Sequence, residues 1–372
     1  MDVARRRESA CIISIRTSDT RAARRNKMPK IRMQELPPEF DSVLYRATYN
    51  DLSKLSEKGA EAHFRTYGTN EGRIGSSIAT RAKFLQLLSE ADSVLEIGPM
   101  AAPVARGAHV RYFDVLPTSE LKAKAAAHGM SAENCPDIHY VSETGDLSVI
   151  PDTFEAAVSS HAIEHQPDLL AHLRRVARVL LPGGRYFLMI PDKRYCFDHF
   201  IPESSIARVI DANVRGKRLH DVGNIIEQFA LKTHNDPSRH WHGDHGEPRL
   251  KSTPIAILDA LDHYRRHPGK YLDTHAWQFV PESFREIVQL LFDLGMIPLR
   301  PERIYPTVFG SNEFYAVLEN VGINPAALRT PLPDDFDDEA YLDANPDVRA
   351  AGVDPRLHFV QYGIHEKRKL RP

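Results

Sequence analysis

The run Ser93–Pro99, SVLEIGP, constrains this chain more than any other stretch, through its pairing with a second run eighteen residues on. An apolar stretch from Val94 to Ile97 carries Glu96 and stops at Gly98. A second, Val110 to Val115, closes on Asp114. Strand, tight glycine turn and second strand ending in a carboxylate form the pattern by which a doubly wound α/β sheet holds a nucleoside. The glycine lets backbone amides approach the ligand, and the carboxylate takes the ribose hydroxyls. A lone Glu-x-Gly is an ordinary strand end, so the reading depends on the residues downstream of it.

Beyond Asp114, strand and helix patterns alternate. Residues 78–90 have helical periodicity and lead into the first strand, and a helix over 119–128 comes after the second. Residues 138–141 read as a third strand, followed at once by Gly145-Asp146-Leu147. Residues 154–160 make a fourth strand. A helix over 168–180 ends at Pro182-Gly183-Gly184, and residues 185–190 make a fifth strand. Such alternation predicts a parallel sheet with right-handed crossovers. A helix over 283–294 then precedes two strands, 298–304 and 313–318, paired antiparallel across a loop containing Gly310. Residues 200–275 fall outside the alternation and are rich in His, Asp and Arg. They predict a mostly helical insertion over the sheet's ligand edge.

With 372 residues the chain can bury a large core in two or three domains. A net charge of -2 gives no global pointer to nucleic acid. Cys11, Cys135 and Cys196 form neither a disulfide framework nor a zinc motif, which suits a reducing cytoplasm. No apolar run approaches the roughly 20 residues needed to span a bilayer. Cys11–Ile15 is too short for a signal segment and is followed by more arginine. Residues 1–36 are basic, with few large apolar groups, and are expected to be disordered. The alternatives are a nucleic-acid or membrane-surface tail, or a true start at Met28 or Met33.

The two ends of the chain share a pattern. Phe40, Tyr45, Asp51, His63, Phe64, Tyr67, Gly68, Glu71 and Arg73 match Phe336, Tyr341, Asp347, His358, Phe359, Tyr362, Gly363, Glu366 and Arg368, with one residue of slippage. Nine matched anchors are an internal duplication. Each copy predicts two short helices closed by Tyr-Gly, the glycine as a helix C-cap. The organisation expected is a basic tail over 1–36, a small helical repeat over 37–76, a main domain over 77–322 and a second repeat over 333–372.

Taken together, Glu96-x-Gly98, Asp114, Gly145-Asp146-Leu147, the phrase His161 to Pro167 and the later Leu-x-Pro-Gly-Gly184 resemble the class I S-adenosylmethionine-dependent methyltransferases of the type 11/23 kind. The end segments are similar to short repeats found in bacterial proteins that build surface glycans. The resemblance implies a doubly wound, mostly parallel seven-stranded Rossmann-like α/β sheet, with S-adenosylmethionine as cofactor. Asp114 would then hold the ribose hydroxyls, and Asp146 with Leu147 would sit by the adenine. Glu96, Gly98 and Pro99 would line the methionine end, and Ser160 and His161 the sulfonium side. Met100 and Ala102 depart from the family, standing where further glycines are usual. Only about ten residues join Gly98 to the second strand, which is short for a crossover carrying a helix. A truncated helix or a coil over 99–107 is expected instead.

A cationic sulfonium suits carboxylates at strand ends better than a phosphate loop, and the absence of Gly-x-Gly-x-x-Gly speaks against a dehydrogenase. A hydroxyl acceptor needs help to lose its proton. Candidate catalytic residues are therefore His165, His240, His242, Asp244, His245 and His275. The histidine run matches no standard zinc spacing, and no metal is expected. Asp192–Asp198 reads as an acceptor-binding group or as a salt-bridged anchor for the insertion, with the first favoured. The expected function is O-methylation of a saccharide or other small acceptor, with the end repeats contacting glycan-assembly proteins. Alternatives are a methyltransferase for small aromatic or lipid-quinone acceptors, and a decayed core serving as a scaffold.

Overall fold

The structure is a computed structural model that describes residues 36–247, 253–324, 326 and 330–372. The basic tail expected over 1–36 lies outside the described residues apart from Leu36. The rest belongs to one compact unit, Gln34–Pro372.

The first repeat begins with α1 (Ser42–Thr48) and α2 (Glu57–His63). Asp41 starts α1 by accepting from the Val43 and Leu44 amides, which an N-terminal turn would otherwise leave unpaired. Tyr45, Leu52, Ala60 and Phe64 form its own small core, and Tyr45 Oη bonds His63 Nδ1 at 3.0 Å. After α2 the chain widens into a π turn, Phe64–Gly68. A Cβ on Gly68 would collide with Tyr45 Oη. That close approach is why the position is glycine, and the expected C-cap role falls instead to Gly72, at φ +63.

The main domain continues as α3 (Arg81–Gln86), β1 (Val94–Ile97), β2 (Val110–Asp114), α4 (Thr118–Ala127), β3 (Tyr140–Val141), β4 (Phe154–Ser160), α5 (Leu169–Val179) and β5 (Leu180–Pro191). The insertion contributes α6 (Ile206–Val214), α7 (Val222–Ala230), α8 (Pro237–Trp241) and α9 (Thr253–Arg266). Helix α10 (Pro281–Asp293), β6 (Leu299–Tyr305) and β7 (Glu313–Asn320) complete the sheet. Strand order is β3-β2-β1-β4-β5-β7-β6, with β7 antiparallel to both neighbours. Successive residues of the central strands enter opposite cores. Leu95, Ala157 and Leu188 pack on one face, and Val94, Ala156 and Phe187 on the other. Period-two alternation with both faces apolar marks a sheet buried on both sides.

Two local features differ in detail from a regular fold. No helix joins β1 to β2. The coil between them is held by Glu96, whose two oxygens accept the Val104 and Ala105 amides at 2.8 and 2.9 Å, and by Tyr112 Oη on Ala105 O at 2.7 Å. The expected coil over 99–107 is thus present, with a buried carboxylate in place of a helix. At the other connection, α5 runs straight into β5, and Pro182-Gly183-Gly184 lies within the strand rather than between elements. The β4–β5 register shifts there, and a Cβ on Gly184 would stand 2.8 Å from Leu181 O and 3.0 Å from Glu155 O. The glycine makes the bulge.

The second repeat comprises α11 (Asp338–Ala344), α12 (Pro346–Ala350), α13 (Pro355–His358), a π turn Phe359–Gly363 and α14 (Ile364–Glu366). It reuses the same devices. Tyr341 Oη bonds His358 Nδ1 at 2.9 Å, and a Cβ on Gly363 would collide with Tyr341 Oη. Arg368 joins Asp347 and Glu366 at 2.7 and 2.6 Å, as Arg73 joins Asp51 and Glu71 at 2.9 and 2.5 Å. Each repeat docks on the main domain. The first receives Phe309 N on Gly72 O at 2.8 Å and places Glu39 on Arg303 at 2.7 Å. The second pairs Glu366 with Arg178 of α5 at 2.5 Å and Gln361 with the Asn324 amide at 3.1 Å.

Candidate functional site

The C-terminal ends of β1, β2 and β4 carry the expected nucleoside-binding residues to one rim. Gly98, at φ +72, donates its amide to Phe113 O at 2.9 Å, closing the turn after β1 against β2. A Cβ placed there would meet only Ala162 Cβ, at 3.5 Å, so the space above the turn is open. Pro99 is buried and its carbonyl accepts from Ala102 N at 3.0 Å. Met100 takes φ +44, so the left-handed turn persists without a glycine at that position. Its side chain packs with Ala101, Leu121, Ala125 and Cys135, contacts that offset the strain.

Asp114 is 7 % exposed and accepts the Leu116 amide at 3.1 Å. Burial raises its pKa against the opposing amides of Leu116, Val115 and Met100. Such a carboxyl favours a partner that restores its lost hydration, which paired hydroxyls would do. Glu96 behaves differently. Burial pushes its carboxyl up to about 7, outweighing its two amide donors, and both oxygens are taken by the coil. Its demonstrated role is to shape the turn. Asp146, after β3, caps a short 3-10 turn through the Ser148 amide and stands 3.3 Å from Arg175. Burial alone would raise its pKa, but that amide and Arg175 bring it below the usual value. Leu147 sends its side chain into the main core, so only its backbone can serve a ligand.

Ser160 and His161, at the end of β4, are tied to β7. Arg81 donates to Ser160 Oγ at 2.8 Å and to Glu313 Oε2 at 2.6 Å, and His161 Nε2 stands 2.9 Å from the same oxygen. His161 holds φ +50. Burial would depress its pKa, but Glu313 and Glu164 outweigh that and raise it. Neither Arg81 nor Glu313 stands out in the sequence, because the first precedes the sheet and the second opens its last strand.

The six proposed catalytic side chains divide into three sets. His165 and His275 come together edge to face with ring centroids 4.6 Å apart, beside Glu164. The Glu164 carbonyl accepts the Ala276 and Trp277 amides at 2.8 and 3.2 Å, which delivers the distant His275 to the loop after β4. His240 and His245 form a second set, joined Nδ1 to Nδ1 at 3.0 Å, with His199 stacked on His245 at 3.8 Å. Burial and neighbouring histidines push His240 down to about 4. The chain from Cys196 to Phe200 runs between the sets, since Asp198 bonds His275 Nδ1 at 2.6 Å while His199 faces the second group.

His242 and Asp244 depart from expectation. His242 Nδ1 engages Ser238 O at 2.7 Å and Asp244 pairs with Arg239 at 2.8 Å, both at the exposed end of α8. Alternation of pointing direction within a short turn separates them from their buried neighbours. In Asp192–Asp198, read as an acceptor-binding group or as an anchor, the contacts of Asp192, Arg194 and Tyr195 are anchoring ones. Asp192 is fully buried, binds Arg194 through both oxygens and accepts from Thr307 at 2.6 Å; Tyr195 stacks on Trp241 at 3.8 Å. A surface depression around Leu181–Arg185, Leu87 and Glu155 lies at the opposite, N-terminal edge of the sheet.

The arrangement of six parallel strands with an antiparallel β7 inserted between β5 and β6 is the class I methyltransferase fold expected from the sequence. Residues 96–188 match the model of a family described as "Methyltransferase domain". Solved structures similar to the chain include the mitomycin 7-O-methyltransferase MmcR, at 13% identity over 75% of this chain and 60% of that one, with a TM-score of 0.31. The trans-methyltransferase CalH in complex with SAH has 10% identity over 64% and 55%, with a TM-score of 0.32. An S-adenosylmethionine-dependent methyltransferase from Clostridium acetobutylicum has 15% identity over 30% and 48%, with a TM-score of 0.22. The chain thus spans about half to three-fifths of the length of these solved chains. No curated protein sequence matches it. Among the described residues no helix is long and apolar enough to cross a membrane.

Proposed function

We propose that this chain is an S-adenosylmethionine-dependent methyltransferase that methylates oxygen on a small, hydroxyl-rich acceptor of the saccharide type. The observation that carries the first half is the open left-handed turn at Gly98 beside the buried Asp114, within the segment that matches a methyltransferase domain. The residues fit the cofactor: the turn has no side chain to block an incoming ligand, and Asp114 is short of hydration. When bound, the cofactor supplies an electrophilic methyl group on a sulfonium. The chain's own part is to orient. Asp114 would hold the ribose hydroxyls, the Asp146–Leu147 backbone would bound the base, and the His161 loop would cover the sulfur side. The acceptor half is supported by the histidines and carboxylates that the insertion and the chain leading into it bring beside the loop after β4, His275, Asp198 and Asp273 among them, which suit a polar hydroxylated molecule better than a quinone-like one.

Titration calorimetry with S-adenosylhomocysteine tests the cofactor claim, and absence of heat at near-millimolar ligand would end it. Asp114→Ala is expected to weaken binding by about 1–3 kcal/mol, the cost of removing the partner of buried hydroxyls. Unchanged affinity would remove the ribose assignment. A role for the end repeats in contacting glycan-assembly proteins is supported only by their resemblance to such repeats.

A further inference from the structure

Glu164 is fully buried, yet neither carboxylate oxygen has a hydrogen-bond partner among the described residues. A buried carboxylate left this way is costly unless something else neutralises it. Around it stand three imidazole nitrogens. His165 Nε2 and His275 Nε2 are each 3.8 Å from Glu164 Oε1, and His161 Nδ1 is 3.9 Å away. These are too long for hydrogen bonds. Donors about 2.1 Å from a tetrahedral ion stand about 3.4 Å apart. One donor atom from each of Glu164, His165 and His275 lies within 4.8 Å of the others. An ion would draw the three together by about an ångström or less at the carboxylate and somewhat more between the imidazoles.

The outer partners have the matching arrangement. His275 Nδ1 bonds Asp198 at 2.6 Å and His165 Nδ1 lies 3.0 Å from Asp273. For His275 the Asp198 carboxylate on the far nitrogen fixes the tautomer and turns Nε2 inward, as in histidines that bind metals, while Asp273 stands close to His165 Nδ1 without a well-aligned hydrogen bond. Backbone contacts from Glu164 O to Ala276 and Trp277 hold the two chain segments together independently of any ion.

We propose that Glu164, His165 and His275 bind one divalent first-row transition ion, of the Zn2+, Fe2+ or Mn2+ type, with open coordination positions toward the rim. Two imidazoles and one carboxylate select such borderline ions over Mg2+ or Ca2+, which favour all-oxygen sites. The site lies on the same loop as Ala162, the residue facing Gly98. An ion there would put a Lewis acid beside the methyl donor, able to hold an acceptor oxygen and lower its pKa. That role rests on the methyltransferase reading; the binding itself does not.

The test is titration of chelator-treated full-length protein with Co2+, followed by visible d–d absorption and calorimetry, beside a separate titration with S-adenosylhomocysteine. One ion per chain is expected, lost in Glu164→Gln and in His275→Ala. Asp198→Asn is expected to weaken it about 10–100-fold, as for loss of an outer partner. His245→Gln, in the other histidine set, is expected to leave it intact. Circular dichroism melts confirm that each variant is folded, and Glu164→Gln preserves side-chain volume if His275→Ala does not fold. No Co2+ binding by the wild-type protein, or binding that survives Glu164→Gln but vanishes in His245→Gln, overturns the proposal. Nucleoside binding without metal binding would defeat this inference alone, and metal binding without nucleoside binding would defeat the cofactor claim alone.

Discussion

Single residues at the rim show how one residue type can serve opposite ends. Glu96 and Asp114 both end apolar strands, yet the first has both oxygens on backbone amides and the second keeps acceptor capacity. The sign of the Glu96 effect on stability comes from its raised pKa. The folded state binds its proton more tightly than the unfolded chain, so the stabilisation is full below pH 4.5 and lost as pH rises through about 7. Thermal melts across that window are therefore expected to favour Glu96→Gln progressively over the wild type as pH rises, although the variant starts lower because its amide can accept only one of the two donors. A pH-independent gap would show that the carboxyl is ionised throughout. Gly98→Ala is expected to cost about 1–3 kcal/mol through backbone strain, since its Cβ has room but its φ does not suit alanine. Urea unfolding measures it. The need for glycine at 98 was legible in the sequence. That Met100 would hold the next left-handed position was not, because only its packing stabilises that conformation.

At the scale of elements, the repeats demonstrate that one sequence pattern can carry a complete local design. Both copies place a tyrosine hydroxyl on a histidine, run a π turn beneath it and require a glycine where the ring passes. Gly363→Ala is expected to destabilise the second repeat by about 1–3 kcal/mol, the usual cost of overpacking a filled core. Limited proteolysis should then cut near residues 359–366 faster than in the wild type, and equal rates would mean that the turn can relax. The nine matched anchors made the duplication readable at once. They did not reveal the π turn, because the tyrosine contact that demands glycine spans about twenty residues and a helix C-cap satisfies the same local pattern. The insertion shows the same limit: a mostly helical segment was expected there, but which histidines face inward depends on the turn after α8.

For the whole molecule, the first repeat and the insertion are mutually supporting. Gly72 approaches Trp241, which stacks on Tyr195 and donates to Ser311 O at 2.8 Å. A Cβ at Gly72 would stand 2.5 Å from the Trp241 ring and 2.6 Å from Phe309 N. Gly72→Ala is thus expected to loosen the repeat from the insertion, seen as a red shift in tryptophan emission and a lower melting temperature; Trp277, the other tryptophan, is buried elsewhere and serves as the constant background. By itself the sequence determined the alternating strands and helices, the Gly98–Asp114 crossing and the paired ends. Those rest on periodicity, glycine's freedom and short-range spacing, all written locally. Tertiary structure alone decided that Glu164, Asp198, Asp273 and His275 would meet His165, and that His242 and Asp244 would not. Contacts between segments far apart in the chain are set by the path of the backbone and the burial it enforces, and no local pattern encodes them.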